Sequence, residues 1–469
     1  MDTLRSRPTA TSRLASVWQR WRERARNLPA LEALPGIAVP AIDIETLADP
    51  AVFRETLLTL IGSARRRILI VALYLQDDDA GREILAALYA ALKARPELEI
   101  AVFVDWHRAQ RGLIGKAKSA GNAALYQDMA QRLGAGVTVY GVPVQRREFL
   151  GVLHLKGFVI DDTVLYSGAS LNDVYLHKHD RYRLDRYHLI RSDELANSLA
   201  RLLTETIRPD PAVHPLDRAD RPTTARLRPA IAHFRRTLAT ARYHFANTPI
   251  GEGQVSITPL LGLGLRHNEL NRVLLQLVLQ AQERLVLFTP YFNLPGPLQR
   301  ALRHKIRTGC HVTIVLGDKT ANDFYIPPEE PFKTIGALPY LYETNLRRFC
   351  KAHQKAIDAG TLAVHIWKDG NNTFHLKGLL ADDDRALLTG NNLNPRAWRL
   401  DLENGLLLHD PHRRLIAQHQ VELERILAHT TRLQRFDALE TVDRYPAPAQ
   451  RLIKRLARVR ADRLINQML

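Results

Sequence analysis

VLHLKGFVIDDTVLYSGASLN (residues 152–172) and TFHLKGLLADDDRALLTGNNLN (residues 373–394) are two copies of one pattern. Each copy contains His-Leu-Lys-Gly, an Asp seven residues after the His, and a closing Gly-x-x-x-Asn segment. The polar positions are His154, Lys156, Asp161 and Asn172 in the first copy and His375, Lys377, Asp382 and Asn394 in the second. Because the whole pattern is repeated, we interpret it as functional rather than as two unrelated surface strands.

The spacing H-x-K-x-x-x-x-D suits a strand whose polar face lines a site. Side chains at positions i and i+2 of a strand share a face, so His154 and Lys156 are expected to point into one site while Leu155 packs behind them. The same argument applies to His375 and Lys377. A His that titrates near neutral pH, beside a fixed ammonium, suits attack on a phosphodiester and protonation of its leaving group.

The elements around the motifs are repeated as well. The first half is predicted to have strands over 67–75, 98–106 and 137–142 and a helix over 81–94; the second half is predicted to have strands over 284–292, 311–318 and 362–367 and a helix over 296–307. Alternating strands and helices predict an α/β fold with a mainly parallel sheet. The repeated order predicts an internal duplication of a domain-sized unit.

Length, charge and cysteine content narrow the class of protein. A chain of 469 residues predicts two or three domains. The 66 Lys and Arg residues against 49 Asp and Glu leave a net charge of +17, which favours anionic partners such as nucleic acid or acidic lipid headgroups. Cys310 and Cys350 form no metal-ligand spacing or disulfide framework, which favours a reducing cytosol. Because neither a secretory signal nor a membrane-spanning run is recognisable, we expect a soluble or surface-bound protein.

Both ends of the chain carry amphipathic patterns. Residues 12–28 place Trp18 and Trp21 on an apolar stripe flanked by arginines, and residues 450–469 repeat the arrangement more weakly. Such helices can lie in an anionic membrane interface. They can equally dock on the chain with their arginines in water, and the sequence leaves both interpretations open.

Three stretches around the motifs, 167–190, 317–349 and 389–404, make the pattern more specific. The duplicated motif resembles that of the phospholipase D superfamily, and the three stretches are similar to the bacterial type of CDP-diacylglycerol–serine O-phosphatidyltransferase. The resemblance implies an α/β fold of two tandem phospholipase-D-like α/β/α domains packed pseudo-symmetrically about one shared active site. The expected divisions are a basic amphipathic segment over 1–35, the two domains over 36–225 and 226–430, and a basic helical segment over 431–469.

The resemblance also implies an activity, the transfer of a phosphatidyl group from CDP-diacylglycerol to L-serine with release of CMP. His154 is expected to be the nucleophile that forms a phosphatidyl-histidine, and His375 the acid and then the base. The phosphate oxygens are expected to be held by Lys156, Lys377, Asn172 and Asn394. No metal or other cofactor is expected.

The same resemblance implies the partners and the location. The expected partners are CDP-diacylglycerol, L-serine and an anionic membrane surface, and nucleic acid is not expected as a substrate. The expected location is the cytoplasm, with peripheral association at the inner face of the cytoplasmic membrane.

Each catalytic His needs an orienting acceptor on its second ring nitrogen. Glu403 follows His375 at the place where the superfamily commonly has such a carboxylate, so it is expected to orient that ring. Alignment of the two Arg-Leu-Asp tripeptides puts Tyr187 opposite Glu403. Asp185 or Tyr187 is therefore expected to orient His154.

Two further features have less specific interpretations. Asp161 and Asp382 complete the catalytic motifs but are expected to hold the turn after each strand by local hydrogen bonds. The 317–349 stretch is either a substrate-facing loop or packing between the halves.

Other members of the superfamily were weighed against this interpretation. A phospholipase-D-like nuclease would also be basic, but the basic residues concentrate in terminal helices and no nucleic-acid-binding module is recognisable. A cardiolipin synthase would share the motifs but usually brings transmembrane anchors. Metal-dependent CDP-alcohol phosphatidyltransferases are integral membrane proteins with an Asp-rich helix motif, which this chain lacks.

Overall fold

Two mixed β-sheets form the frame of the molecule. The computed structural model of the protein describes residues 31–112 and 121–458. The strands of the first half are β1 (Ile37–Pro40), β2 (Ile44–Thr46), β3 (Arg67–Val71), β4 (Glu99–Asp105), β5 (Val137–Val142), β6 (Leu153–His154), β7 (Phe158–Ile160), β8 (Thr163–Ser167), β9 (Arg183–Leu184), β10 (Tyr187–Arg191) and β11 (His214–Pro215). Those of the second half are β12 (Gln254–Leu263), β13 (Arg284–Phe288), β14 (His311–Gly317), β15 (Leu362–Trp367), β16 (Thr373–Phe374), β17 (Gly378–Ala381), β18 (Arg385–Thr389), β19 (Leu402–His409) and β20 (Thr430–Arg432).

Helices connect and cover these strands. They are α1 (Pro50–Ser63), α2 (Asp79–Ala94), α3 (Trp106–Ala109), α4 (Ala123–Leu133), α5 (Asp193–Arg201), α6 (Thr224–Thr240), α7 (Glu269–Gln280), α8 (Gly296–Arg307), α9 (Leu338–Ala352), α10 (Gln354–Asp358), α11 (Pro395–Arg399), α12 (Ile416–Ala428) and α13 (Ala447–Arg458). The predicted elements begin close to where the structure has them, although the strands that begin at Arg67 and Arg284 end earlier than predicted, at Val71 and Phe288.

The two sheets have the same strand order over eight positions, and the second sheet has one further edge strand, β1. The first runs β11-β5-β4-β3-β7-β8-β10-β2, and the second runs β20-β15-β14-β13-β17-β18-β19-β12-β1. The prediction of mainly parallel sheets is wrong. Parallel pairing joins β3, β4 and β5, and likewise β13, β14 and β15, whereas the strands after each motif His pair antiparallel with their neighbours along this order.

Tight turns after the motifs explain the antiparallel pairing, since parallel strands need a long crossover connection. Asp161 and Asp382 open these turns with φ near 50°, a left-handed conformation that Asp tolerates. Each carboxylate accepts hydrogen bonds from three successive backbone amides, those of 65–67 for Asp161 and those of 282–284 for Asp382. The two acids therefore hold the turns as expected, but through backbone far earlier in the chain rather than through local bonds.

The core of each half forms where apolar helix faces meet a sheet. Helix α1 starts with Pro50 after the capping Asp49, whose side chain accepts the amides of the first turn. Phe53, Leu57 and Ile61 recur every four residues, so they share one face. All three are fully buried in the first core cluster together with the apolar residues of β3 and β4.

Two short strands are exchanged between the halves. Strand β6, which carries the first motif His, pairs in parallel with β19 of the second sheet. Strand β9 pairs in parallel with β16, which precedes the second motif His. The halves thus meet at the motifs, while the domain boundaries at 35, 225 and 430 stay predictions.

The terminal amphipathic patterns fall largely outside the described residues. The predicted helix over 12–28, with Trp18 and Trp21, lies outside them, as does the end of the 450–469 stretch beyond α13. Among the residues that the structure describes, no helix has the length and apolar character needed to cross a membrane.

A buried ion pair, Arg186 with Glu422, joins the halves. Arg186 of the first half donates two hydrogen bonds, of 2.8 and 2.6 Å, to the two carboxylate oxygens of Glu422 on α12. Burial alone would raise the pKa of Glu422, but Arg186 outweighs it and lowers the pKa from 4.5 to about 2. The Glu422→Gln variant is expected to lose about 3–5 kcal/mol of unfolding free energy, because it leaves the guanidinium buried without its counter-charge.

The pH dependence of that loss follows from the direction of the shift. A depressed carboxyl pKa contributes stability that is complete above the unfolded pKa near 4.5 and is lost as the pH falls through 2. In urea titrations, the difference between Glu422→Gln and the unmodified protein should be constant near pH 7 and shrink between pH 4.5 and 2. Glu424→Gln, at an exposed position of the same helix, is the control. Equal stability of both variants at pH 7 would contradict the prediction.

Candidate active site

His154, the last residue of β6, lies opposite Glu403 of β19. Its Nδ1 atom is 2.9 Å from Oε2 of Glu403, and the two residues are 7% and 1% exposed. Burial and the charge of Asp401 raise the pKa of Glu403, and the charges of Lys156 and Lys377 oppose this by favouring the carboxylate. A carboxylate can only accept, so we place the imidazole proton on Nδ1, which leaves the lone pair on Nε2. Within the described chain no hydrogen bond occupies Nε2, so this nitrogen is available to a substrate.

Lys156 is held by its backbone while its ammonium stays unpaired. Asn404 accepts from the amide of Lys156 and donates to its carbonyl, both at 2.8 Å. The Nζ atom is buried and has no hydrogen-bond partner among the described residues. Burial, followed by the charge of Lys377, lowers the pKa of Lys156 to about 7. A buried ammonium of this kind fits an anionic ligand such as a phosphate.

His375, directly after β16, lies between two tyrosine hydroxyls. The hydroxyl of Tyr175 is 2.9 Å from Nδ1, and that of Tyr291 is 3.0 Å from Nε2. Each phenol ring lies edge-on to the imidazole, and the centroid of each is 5.8 Å from the imidazole centroid. Asp185 lies 3.8 Å from Nδ1, which is too long for a hydrogen bond but close enough for a favourable charge interaction.

Lys377, unlike Lys156, has a direct counter-charge. Its Nζ atom donates a 2.6 Å hydrogen bond to Oδ2 of Asp185. Burial would raise the pKa of Asp185, but the charge of Lys377 outweighs it and lowers the pKa below its usual range. The first half therefore pairs its His with a carboxylate, and the second half pairs its Lys with one. This asymmetry gives the two histidines different surroundings.

Burial lowers the pKa of both imidazoles. The pKa of His154 lies well below 6.5 because of burial and then the charges of Lys156 and Lys377. Burial, followed by Lys377, lowers the pKa of His375 to about 4. Both rings are therefore neutral at pH 7 in the free protein, which suits a nucleophile and a base. Negative charge from a diphosphate beside the lysines would raise both values.

The structure corrects the predicted orienting residues. Glu403 bonds to His154 of the other half and not to His375, and Asp185 lies beside His375. The strand exchange is the physical reason, because each motif His pairs with a strand of the opposite half. Tyr187 contacts neither ring; its hydroxyl accepts the amide of Asp185 at 3.1 Å. In the β6–β19 pair Glu403 lies opposite His154, and continuing the β9–β16 pair by one residue puts Asp185 opposite His375. Asp185, rather than Tyr187, is therefore the counterpart of Glu403.

The motif glycines are required by the lysines of the opposite half. A Cβ atom on Gly390 would lie 2.6 Å from Cγ of Lys156, and one on Gly168 would lie 2.7 Å from Oδ2 of Asp185 and 2.8 Å from Nζ of Lys377, which that carboxylate holds. The aliphatic stem of Lys156 is buried, so it has no room to move aside. The Gly of each Gly-x-x-x-Asn segment thus makes space for a catalytic lysine.

The Gly390→Ala variant is expected to lower the catalytic rate of this site by about 10- to 100-fold, because its methyl group displaces Lys156 from the site. The measurement is the steady-state rate of the reaction proposed below. Gly62→Ala is the matched control, since a Cβ atom at Gly62 meets no atom within 4 Å. Equal activity of the two variants would show that the close approach to Lys156 does not matter.

The two motif asparagines cap local turns with their side-chain oxygens. Oδ1 of Asn172 accepts the amide of Tyr175 at 3.0 Å, and Oδ1 of Asn394 accepts the amide of Ala397 at 2.9 Å at the start of α11. The phosphate contacts predicted for Asn172 and Asn394 stay predictions. Such contacts would be made by the side-chain nitrogens, because the side-chain oxygens accept the backbone amides.

The 317–349 stretch reaches the site through Asp323 and Tyr342. Asp323 accepts a 2.9 Å hydrogen bond from the hydroxyl of Tyr291, and the ring of Tyr342 stacks on that of Tyr291 with centroids 5.1 Å apart. Tyr175 and Tyr291 were not predicted as neighbours of His375, although Tyr175 lies in the 167–190 stretch. Nothing in the sequence near Tyr291 pointed to the site.

One group of potential metal ligands lies away from the motifs. Among the described residues, Asp79, Asp173 and His179 are the group of three whose ligand atoms all lie within 4.8 Å of one another, as binding of one metal ion requires. None of these residues contacts either motif His. The prediction that the reaction needs no metal stays a prediction.

Comparisons with known proteins show the family to which the chain belongs. A family model described as the cardiolipin synthase, PLD-like domain matches residues 274–427. The chain is 52% identical to CDP-diacylglycerol–serine O-phosphatidyltransferase of Escherichia coli K12, over 95% of this chain and 99% of that protein. It is 48% identical to the enzyme of the same name from Haemophilus influenzae, over 94% and 97% of the two chains.

A solved structure agrees over nearly the whole chain. The crystal structure of phosphatidylserine synthase from Haemophilus influenzae Rd KW20 superposes with a TM-score of 0.91 at 47% identity, covering 95% of this chain and 99% of that one. Both the sequence and the fold therefore match along almost the full length. The chain belongs to the phosphatidylserine synthases of the phospholipase D superfamily.

Proposed function

We propose that the protein transfers a phosphatidyl group from CDP-diacylglycerol to L-serine, releasing CMP, by way of a phosphatidyl-histidine on His154. The relatives named above carry this activity in their names. The observation that carries the covalent step is the His154–Glu403 pair, which fixes a proton on Nδ1 and leaves Nε2 without a partner among the described residues. A neutral imidazole oriented by a buried carboxylate is an activated nucleophile.

In the first step, Nε2 of His154 attacks the phosphorus that carries diacylglycerol. The N–P bond forms as the P–O bond to CMP breaks, and His375 donates a proton to the leaving oxygen. Lys156 and Lys377 lie where they can stabilise charge on the non-bridging oxygens. Lys156 is the stronger candidate for direct contact, because Lys377 already bonds to Asp185.

In the second step, His375 acts as the base. It takes the proton of the serine hydroxyl, the serine oxygen bonds to phosphorus, and the bond to His154 breaks. Two in-line displacements at one phosphorus retain its configuration. The low pKa of His375, about 4 in the free protein, favours the base form once CMP has left with its negative charge.

We also propose that the reaction takes place at the inner face of the cytoplasmic membrane, with the protein bound peripherally to anionic lipid. The donor is a lipid and the acceptor is water-soluble, so an enzyme at the surface reaches both. The net charge of +17 favours such a surface. A basic groove of about 650 Å³, lined in part by Arg300, Arg303 and Arg348, adds to this charge.

The test is transfer of radiolabelled serine into chloroform-soluble lipid by the purified full chain in the presence of EDTA. CDP-diacylglycerol is supplied in neutral vesicles and in vesicles that also contain phosphatidylglycerol. Product formation in EDTA supports the proposed reaction without a metal, and faster transfer on anionic vesicles supports the surface. No labelled lipid under any condition would contradict the function, and equal rates on both vesicles would contradict the surface.

A further inference from the structure

A loosely paired Arg and Asp lie beside His375. Arg183 and Asp323 come from different halves of the chain, and their side chains are 15% and 17% exposed. Nη1 of Arg183 is 3.8 Å from Oδ2 of Asp323, beyond hydrogen-bonding distance. The pair therefore consists of two largely buried opposite charges that do not bond directly.

The position of Arg183 is fixed without using its terminal nitrogens. Nε donates to Oγ1 of Thr373 at 3.1 Å, and the guanidinium lies 5.0 Å above the ring centroid of Tyr175. In the part of the chain that the structure describes, neither Nη atom donates a hydrogen bond. The Nη edge of the guanidinium, whose N–H groups can donate to a carboxylate, is thus held in place and unused.

Asp323 is likewise held through one oxygen. Its Oδ1 accepts from the hydroxyl of Tyr291 at 2.9 Å, and the same hydroxyl is 3.0 Å from Nε2 of His375. The described residues make no hydrogen bond to Oδ2. The hydroxyl of Tyr291 therefore bridges two groups. One is Asp323, whose carboxylate can accept from an ammonium group, and the other is Nε2 of His375, which takes the hydroxyl proton of serine in the second step.

The chemistry of an amino acid matches this set of groups. Serine carries a carboxylate and an ammonium on one carbon, and its hydroxyl is one carbon further. Burying two charges so loosely paired is unfavourable unless further hydrogen bonds complete them. A zwitterion between them would give the guanidinium an anion and the carboxylate a cation.

We propose that Arg183 and Asp323 form the acceptor site, in which the guanidinium of Arg183 binds the serine carboxylate and Asp323 binds the serine ammonium. This inference rests on the proposed function. The serine hydroxyl then replaces the hydroxyl of Tyr291 at Nε2 of His375. The hydroxyl proton passes to Nε2, the serine oxygen bonds to phosphorus, and the bond from phosphorus to His154 breaks.

The acceptor site gives a reason for choosing an amino acid over other alcohols. Ethanolamine keeps the amine and the hydroxyl but offers nothing to Arg183. Glycerate keeps the carboxylate and the hydroxyl but has no ammonium group, so the negative charge of Asp323 stays unbalanced. The two side chains therefore discriminate by different groups of the same substrate.

The experiment compares two reactions of the purified full chain. Exchange of labelled CMP into CDP-diacylglycerol needs only the donor half of the reaction, whereas serine transfer needs both halves. The Asp323→Asn variant is expected to raise the KM for serine by about 10- to 100-fold, the effect of losing one charged hydrogen bond, and to keep CMP exchange within about twofold of the unmodified protein. It should also use glycerate better relative to serine.

Arg183→Lys supplies a second variant that keeps the positive charge but not the bidentate fork. It is expected to raise the KM for serine and to use ethanolamine better relative to serine. Glu83→Gln is the matched control, because Glu83 also pairs with an arginine, Arg54, at a somewhat more exposed place in the first half. That variant should leave both reactions unchanged.

The outcomes separate the acceptor site from the proposed function. An unchanged KM for serine in Asp323→Asn would overturn the acceptor site. A parallel loss of CMP exchange and serine transfer in that variant would also overturn it, because the carboxylate would then support the fold of the site. If the unmodified protein catalyses neither reaction, the proposed function itself fails.

Discussion

His154→Ala is expected to lower serine transfer by at least about 10⁴-fold and to abolish CMP exchange to the same degree. The variant lacks the atom that bonds to phosphorus, and removal of a nucleophile typically costs a catalytic site several orders of magnitude. Nε2 of His154 has no hydrogen-bond partner among the described residues, whereas Nε2 of His375 contacts the hydroxyl of Tyr291. Both reactions pass through the same covalent step, so both should fail together.

His233→Ala is the control for that variant, since His233 lies exposed on α6. Circular dichroism and a thermal melt would show that both variants fold. Retention of CMP exchange in His154→Ala would contradict the assignment, because the donor could then be opened without this nucleophile.

Glu403→Gln is expected to lower both reactions by about 10³- to 10⁴-fold, with the fold intact. The carboxylate of Glu403 accepts the proton on Nδ1 of His154 at 2.9 Å. An amide that donates to Nδ1 would move the proton to Nε2 and remove the lone pair that attacks phosphorus, as in triads whose acid becomes an amide. The amide also removes a negative charge that stabilises the imidazole as it becomes cationic.

Two measurements check this prediction. Steady-state rates give the loss of activity, and nitrogen NMR of labelled histidine should show the tautomer of His154 change from Nδ1–H to Nε2–H. A variant within tenfold of the unmodified rate would contradict the orienting role of Glu403. Unchanged NMR signals with a large loss of activity would attribute the effect to charge rather than to the tautomer.

Much of the fold could be predicted because its signals are local. The duplicated motif and the repeated strand and helix patterns predicted the α/β class and an internal duplication, and the first predicted strand of each half begins where the structure has it, at Arg67 and Arg284. The mainly parallel sheet was wrong, since the tight turns at Asp161 and Asp382 require hairpins. An Asp in a left-handed turn is not distinguishable from other Asp residues in a short sequence.

The site was harder to predict because it depends on pairing between distant residues. Glu403 and His154 are 249 residues apart, and no local pattern shows that their strands cross between halves. The same exchange puts Asp185 beside His375, whereas Asp185 or Tyr187 was expected to orient His154. Tyr291 was not predicted as a neighbour of His375, because a tyrosine that follows a buried strand does not by itself indicate a site.

The most direct test of the account is to find where the phosphatidyl group is bound. The His375→Ala variant is mixed with CDP-diacylglycerol, quenched in alkaline denaturant because phosphohistidine is acid-labile, digested, and analysed by mass spectrometry. We expect a phosphatidyl adduct on the peptide that contains His154, and no adduct in His154→Ala. The adduct should form slowly, because His375 also protonates the leaving CMP, and then accumulate, because no base remains to activate an acceptor. An adduct on the peptide that contains His375 in the unmodified protein, or serine transfer with inverted configuration at phosphorus, would contradict the account.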